Sequence, residues 1–177
     1  MQPGPGFGGP CLEKDLAALI ELGKFFELES TFMKAILDRN ERQVDLIRDK
    51  ITKEIDSSGA IITILGLAFK AGTDDIRNSA SIKLINMLLK DGYSVRSYDP
   101  VAKFKIDNNK YCQFEDIYLA SESADCAIIM TEWEEFKSID LNKLKDLMES
   151  NIIFDMRNIL DRFEVEKTGL NYIGLGS

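Results

Sequence analysis

The sequence predicts an α/β chain in which a long helical N-terminal segment, residues 1–56, precedes a parallel-sheet domain over residues 57–177. Three observations carry this. Apolar side chains recur every three or four residues up to about Ile55, the period of one helical face. Short apolar runs then follow one another, and stretches of helical pattern lie between them. Strands that alternate with helices close into a doubly wound parallel sheet, with ligands at the strand carboxyl ends.

Taken in order, the helical segment runs from Leu12 to about Ile55, with Ser30 as the N-cap of its longer second part and Gly23 marking a break between the two. Phe32, Ile36, Asn40, Val44, Ile47 and Ile51 trace its stripe. Such a stripe packs either on the chain's own domain or on another domain or subunit, and the pattern alone leaves both open. Ser57-Ser58-Gly59 ends the helix. "AIITILGLAF" (60–69) is apolar throughout, as a strand buried on both faces must be. "SASIKLINMLLKDG" (79–92) is a helix with Ile82, Ile85, Leu88 and Leu89 on one face and Gly92 at C′. "YSVRSYDP" (93–100) and "ADCAIIM" (124–130) are strands. "TEWE" (131–134) matches a capping box opening a helix at Thr131. "SNIIFDMRN" (150–158) and "LNYIGLG" (170–176) supply the last strands.

Composition narrows the function. The chain has 177 residues, 45% hydrophobic and 29% charged, and a net charge of −8. That balance argues against nucleic acid or an anionic membrane as partner. No apolar run reaches the roughly 18 residues of a spanning helix, and no signal peptide is visible. Cys11, Cys112 and Cys126 are odd in number without CxxC spacing, so neither a disulfide framework nor a metal site is expected, and the cytoplasm is the default compartment. With no histidine, acid–base chemistry falls to carboxylates, lysine, thiol or water.

The opening loop, "GPGFGGPCLEKD" (4–15), has two readings. Gly4, Gly6 and Gly9 satisfy the dinucleotide fingerprint, but that motif needs a preceding strand, and only Met1-Gln2-Pro3 come before it. Alternatively, the glycines let backbone approach a ligand closely, with Cys11 just before a helix that starts near Glu13. A helix N-terminus and the neighbouring Lys14 both favour the ionised sulfur that attacks electrophiles, and Asp15 lies one turn on. A lone cysteine after a glycine loop is also a common structural residue, and the loop by itself does not separate these.

Several motifs together resemble the UDP-glucose/GDP-mannose dehydrogenases, which oxidise a nucleotide sugar to its uronic acid. The opening loop is similar to that family's G-F-G-G-x-C-x-x-K-D, and "AFKAGTDDIRNS" (68–79) to its A-F-K-x-x-T-x-D-x-R-x-S. "YDP" (98–100), "TEWEEF" (131–136) and "FDMRN" (154–158) follow in the family's order and spacing, so the resemblance covers essentially the whole chain.

The resemblance implies a cysteine loop and central dimerisation helices over 1–56 and a Rossmann-like UDP-sugar-binding domain over 57–177. It further implies that the family's NAD-binding domain is absent, so that the chain alone is not expected to turn over. NAD is the implied cofactor, and a homodimer through the long helix the implied assembly. Cys11 would be the nucleophile, capturing the C6 aldehyde as a thiohemiacetal and then a thioester. Asp15 would serve the hydrolytic water. Gly6, Phe7 and Gly8 would line the sugar; Phe69, Lys70 and Arg157 would meet the substrate; Lys14 and Arg77 would face the cofactor.

Each residue also has a simpler reading. Lys70 is then a solvated loop lysine, Phe69 a core residue, Arg77 an ion-pair partner of Asp74 or Asp75, Arg157 a partner of Asp155, and Trp133 a packing anchor. Asp99, ending a strand, resembles a ribose-binding acid but sits far from any glycine fingerprint. One departure is Glu13, where the family usually has proline; its charge opposes an ionised Cys11 unless it points away. Retained Lys14 leans towards UDP-glucose as substrate. GDP-mannose, a UDP-amino sugar, or a non-catalytic nucleotide-binding or dimerisation module remain the alternatives.

Overall fold

The computed structural model describes residues 4–56 and 59–176; the expected helix break at Ser57-Ser58 lies outside them, and Gly59 alone of that triplet is described. Six parallel strands form one sheet in the order β3-β2-β1-β4-β5-β6. They are β1 (Ile61–Leu65), β2 (Ser94–Tyr98), β3 (Tyr111–Gln113), β4 (Cys126–Ile129), β5 (Ile152–Asp155) and β6 (Asn171–Gly174). Chain order reverses between β1 and β4, the switch point at which open α/β sheets form a crevice. The apolar runs became the central strands because both faces are covered: β4 is buried along its whole length.

Helices α1 (Leu12–Phe25) and α2 (Thr31–Glu54) precede the sheet, and α3 (Ala80–Lys90) follows β1. Shorter helices α4 (Ile117–Ser121), α5 (Glu134–Lys137), α6 (Leu141–Leu147) and α7 (Arg162–Lys167) complete the chain. Gly92 stands at C′ of α3 with φ 99°, as expected. Two terminus expectations need correction, and a third holds in position only. Thr131 is not a helix cap: α5 begins after Trp133, and the buried Thr131 hydroxyl donates to Ala68 O at 3.1 Å. Ser30 occupies the N-cap position of α2 but makes no side-chain capping bond. Gly23 does not break the helix; α1 runs through it to Phe25, and Gly23 O accepts Leu28 N–H at 2.8 Å as the chain turns.

The stripe of α2 divides in two. Val44, Ile47 and Ile51, at most 5% exposed, join Leu84, Leu88 and the sheet in one core, each such side chain contributing roughly 1.5–3 kcal/mol on burial. Arg48 reinforces this junction through two hydrogen bonds to Asp91 at the end of α3. Towards its N-terminus the stripe loses its cover, from the half-buried Asn40 and Ile36 outwards. Phe32 is 77% exposed, and Leu22, Phe25, Phe26 and Leu28 beside it are exposed too. The reading in which the stripe packs on the chain's own domain therefore holds for its C-terminal half.

Candidate active site

The cysteine loop crosses the junction between α2 and the strand-end loops. Its first anchor is Asn40 of α2, whose Oδ1 accepts Phe7 N–H at 2.8 Å while its Nδ2 donates to Phe7 O at 2.9 Å. Gly6, at φ +103°, passes so close that a Cβ there would stand 2.7 Å from Asn40 Oδ1. The second anchor is the segment after β1. Gly9 N–H donates to Arg77 O at 2.9 Å, and Asn78 Nδ2 reaches Gly9 O at 3.5 Å. A Cβ on Gly8 would lie 2.5 Å from Asn78 O, and one on Gly9 2.8 Å from the Phe69 ring. Glycine is required at these positions by close backbone approach.

Cys11 emerges from this loop exposed, as the N-cap residue of α1, with no side-chain capping bond. Its carbonyl accepts Asp15 N–H at 2.8 Å, which starts the helix. Lys14 pairs with Asp15 at 3.5 Å, both well exposed. Glu13 turns away to Lys83 of α3 at 3.2 Å, so the charge that seemed to oppose an ionised Cys11 is matched elsewhere.

The cation that senses Cys11 is Arg77. Its pKa is raised mainly by the Asp75 side chain, with a smaller coulombic contribution from Cys11. Arg77 grips Asp75 with Nη2 to Oδ2 at 2.6 Å, and that contact pulls the Asp75 carboxyl down to about 2. The ion-pair reading of Arg77 is thus realised with Asp75. The Arg77 side chain itself stays largely exposed, which leaves its guanidinium open to a ligand.

Phe69 is the meeting point of the remaining residues. Its ring covers Gly9 and its Cβ faces Gly8, its N–H donates to Asp75 O at 3.1 Å, and its carbonyl accepts Arg157 Nη2 at 3.2 Å. Lys70 is exposed, with Nζ 5.6 Å from the centre of the Phe69 ring. Arg157 does not pair with Asp155 through its side chain. Its Nε–H donates to Met130 O at 2.9 Å, and the guanidinium packs on Gly4. With only 8% of that side chain exposed, burial lowers its pKa, opposed by Glu132. Glu132 Oε2 lies 3.1 Å from Arg157 Nε, yet the Nε–H is aimed at Met130, so the buried oxygen holds a charge contact without a hydrogen bond.

Two buried carboxylates shape the strand ends. Asp99 accepts Leu67, Ala68, Val101 and Ala102 N–H and Trp133 Nε1–H. Its oxygens are occupied by the protein, which leaves no ribose-binding role of the expected kind. Asp155 likewise accepts Arg157, Ile159 and Leu160 N–H and the Tyr172 hydroxyl. Multiple donors offset the cost of burying each charge. Asn40, Glu132 and Asp155 were not singled out as site residues from sequence, and Asp99 only for the ribose role it does not have. Asn40 carried a signal, being the one polar member of an otherwise apolar stripe.

The sequence model for the UDP-glucose/GDP-mannose dehydrogenase family UDP-binding domain matches residues 63–162, and that for the family's central domain matches residues 1–42. The chain belongs to this family. Among curated relatives, UDP-glucose 6-dehydrogenase of Rickettsia conorii is 37% identical across all of this chain and 42% of its own length. UDP-glucose 6-dehydrogenase TuaD of Bacillus subtilis is 34% identical over 99% of this chain and 39% of its own. The chain therefore spans about two fifths of the length of these dehydrogenases. Among solved structures, a UDP-D-ManNAc dehydrogenase from Pyrococcus horikoshii superposes with TM-score 0.82 at 32% identity, over 99% of this chain and 40% of that one. A UDP-glucose dehydrogenase from Pyrobaculum islandicum gives 0.75 at 29%, over 98% and 38%. Both family matches fall on the residues just described: the cysteine loop with the N-terminal part of α2, and the strand-end crevice.

Proposed function

We propose that this chain supplies the nucleophile and the UDP-sugar-binding part of an NAD-dependent UDP-glucose 6-dehydrogenase, with residues 1–56 as cysteine loop and dimer helices and 57–177 as the sugar-nucleotide domain. The observation that carries the proposal is Cys11, exposed at the start of α1 and presented by a loop tied to both α2 and the segment after β1. NAD, when bound, would accept a hydride in each of the two oxidations. Lys14 and Arg77 fit as its contacts, both being exposed cations, one three residues after Cys11 and the other on the segment that anchors the cysteine loop.

The work of this chain lies around those oxidations. Cys11 sulfur bonds to C6 of the sugar aldehyde, retaining it as a thiohemiacetal and dividing a four-electron oxidation into separate steps. At the thioester stage, water oriented by Asp15 attacks the carbonyl carbon. The C–S bond breaks, the thiolate leaves, and uronic acid is released. Gly6 and Gly8 present backbone to the sugar, and Phe7, its own N–H and carbonyl held by Asn40, lines it with its side chain. Phe69 and Lys70 flank it, and Arg157, braced by Met130 O, Phe69 O and Glu132, closes the crevice on the substrate side.

We assign UDP over GDP because both curated relatives above are named for UDP-glucose, and retained Lys14 agrees. Calorimetric titration should find UDP bound at least about tenfold more tightly than GDP, a difference of about 1.4 kcal/mol. Equal binding, or GDP the tighter, would move the assignment to the GDP-mannose branch. A purely nucleotide-binding module has no use for Cys11, Lys14 and Asp15 together.

The exposed Leu22, Phe25, Phe26, Leu28 and Phe32 form the face that a second copy would cover. Sedimentation at micromolar concentration should show a dimer, and a monomer would contradict that partner. No described helix is long and apolar enough to cross a membrane, and the free, unpaired cysteines favour the cytoplasm.

A further inference from the structure

We propose that Asn40 is the positioning residue of the cysteine loop, a role that rests on reading Cys11 as the nucleophile. A side-chain amide that both accepts from and donates to one backbone unit replaces the pairing a strand would give. It fixes Phe7 in position and in rotation about the chain at once. Here both bonds are short, 2.8 and 2.9 Å. Gly6 has no room for a Cβ against the same amide. The amide itself is held by a rigid element: one turn further along, α2 enters the core through Val44, Ile47 and Ile51.

Phe7 is four residues before Cys11, and Gly9, midway, is pinned from the opposite side by Arg77 O. Two anchors on different elements leave the intervening loop little freedom. Removal of the α2 anchor leaves the Gly9 bond as a pivot about which Gly6–Phe7 can swing. Asn40 touches no reacting atom in this scheme. It acts through the backbone, by fixing where Cys11 leaves the loop.

The test compares the unaltered chain with Asn40→Ala and Asn40→Asp. Amide hydrogen exchange at Phe7 should accelerate about tenfold in Asn40→Ala, as expected for loss of one hydrogen bond, while exchange at Ile47, Ile51 and Leu88 stays unchanged. In the same protein the iodoacetamide rate of Cys11 relative to Cys112 should change at least about threefold. Asn40→Asp keeps an acceptor for Phe7 N–H but at neutral pH sets a carboxylate oxygen against Phe7 O. It should shift the Cys11 ratio in the same way while protecting the Phe7 amide better than alanine does, and it serves alone if the alanine variant does not fold. An unchanged Cys11-to-Cys112 ratio in the folded variants would overturn the proposal, as would an unchanged Phe7 exchange rate. The two readings fail separately. Cys11 can prove the fastest thiol whether or not Asn40 matters, and the Phe7 amide can be tied to Asn40 even if Cys11 proves inert.

Discussion

Exchange of Cys11 for serine should reduce uronic acid release at least about a thousand-fold in a dehydrogenase whose cysteine loop this chain supplies. UDP affinity should stay within about twofold, since losing one atom's nucleophilicity leaves the strand-end crevice untouched. The argument is chemical before it is structural. An alkoxide is far harder to form than a thiolate near neutral pH, and this chain offers no histidine of its own to deprotonate a hydroxyl there. Glu13 is engaged with Lys83 and Asp75 with Arg77, and Asp15, which serves the water, is paired with Lys14. Serine is also slightly smaller than cysteine and fits the exposed N-cap position without displacing a neighbour, so the loss would read out chemistry and not folding. Release at more than a tenth of the original rate would remove Cys11 from the mechanism.

The second large effect is on stability. Gly66 ends β1 at φ +97°, its N–H donating to Tyr98 O at 2.8 Å. A Cβ there would fall against Thr131, 2.9 Å from its backbone nitrogen and nearer still to its side chain. Thr131 cannot give way cheaply, being fully buried with its hydroxyl committed to Ala68 O. Left-handed backbone costs a non-glycine residue about 1–2 kcal/mol, and overpacking adds about 1–3 kcal/mol. Gly66→Ala should therefore destabilise by about 3 kcal/mol, lowering Tm by about 6–12 °C. Gly72 separates the two causes. It has φ +77° but nothing within 4 Å of its Cβ direction, so Gly72→Ala should show the backbone cost alone, about 1–2 kcal/mol. Equal losses in the two variants would refute the close-packing account of the β1–β4 junction. The same loop carries Phe69 and Lys70, so Gly66→Ala should weaken UDP binding as well.

The sequence showed most of this framework where burial on both faces forces an unbroken apolar run, as in Ile61–Leu65 and Cys126–Ile129. It did not reveal β3, an edge strand of three residues with exposed Cys112 at its centre and no apolar run. The short helices α4, α6 and α7 were equally hidden, since two turns or fewer cannot display a period; their caps, Asp116, Asp140 and Asp161, were the available signal. The reversal of Thr131 from cap to core has a definite cause. A capping box describes local bonding, and here the hydroxyl found a tertiary acceptor in Ala68 O instead.

The candidate site divides along the same line. The resemblance offered Cys11, Phe69, Lys70, Arg77 and Arg157 as candidates, and the fold brings Phe69, Arg77 and Arg157 against the cysteine loop. Partners chosen by sequence proximity fared less well. Arg157 was offered Asp155, two residues away, but its guanidinium reaches Met130 and Phe69 carbonyls and Glu132 across the sheet. Asp155 and Asp99, weighed from sequence as an ion-pair partner and a ribose-binding acid, are buried because turning loops aim several N–H groups at one carboxylate. Such convergence depends on loop geometry, which no spacing in the chain specifies.

Competitive alkylation of the unaltered protein tests the nucleophile most directly. Cys11 and Cys112 are both exposed, so access alone does not rank them, while burial pushes the Cys126 thiol strongly up and keeps it inert. Limiting iodoacetamide followed by peptide mapping should label Cys11 first, ahead of Cys112 by about fivefold or more and with Cys126 last. Cys112 labelled as fast as Cys11, or faster, would contradict the assignment of the reactive sulfur to the start of α1.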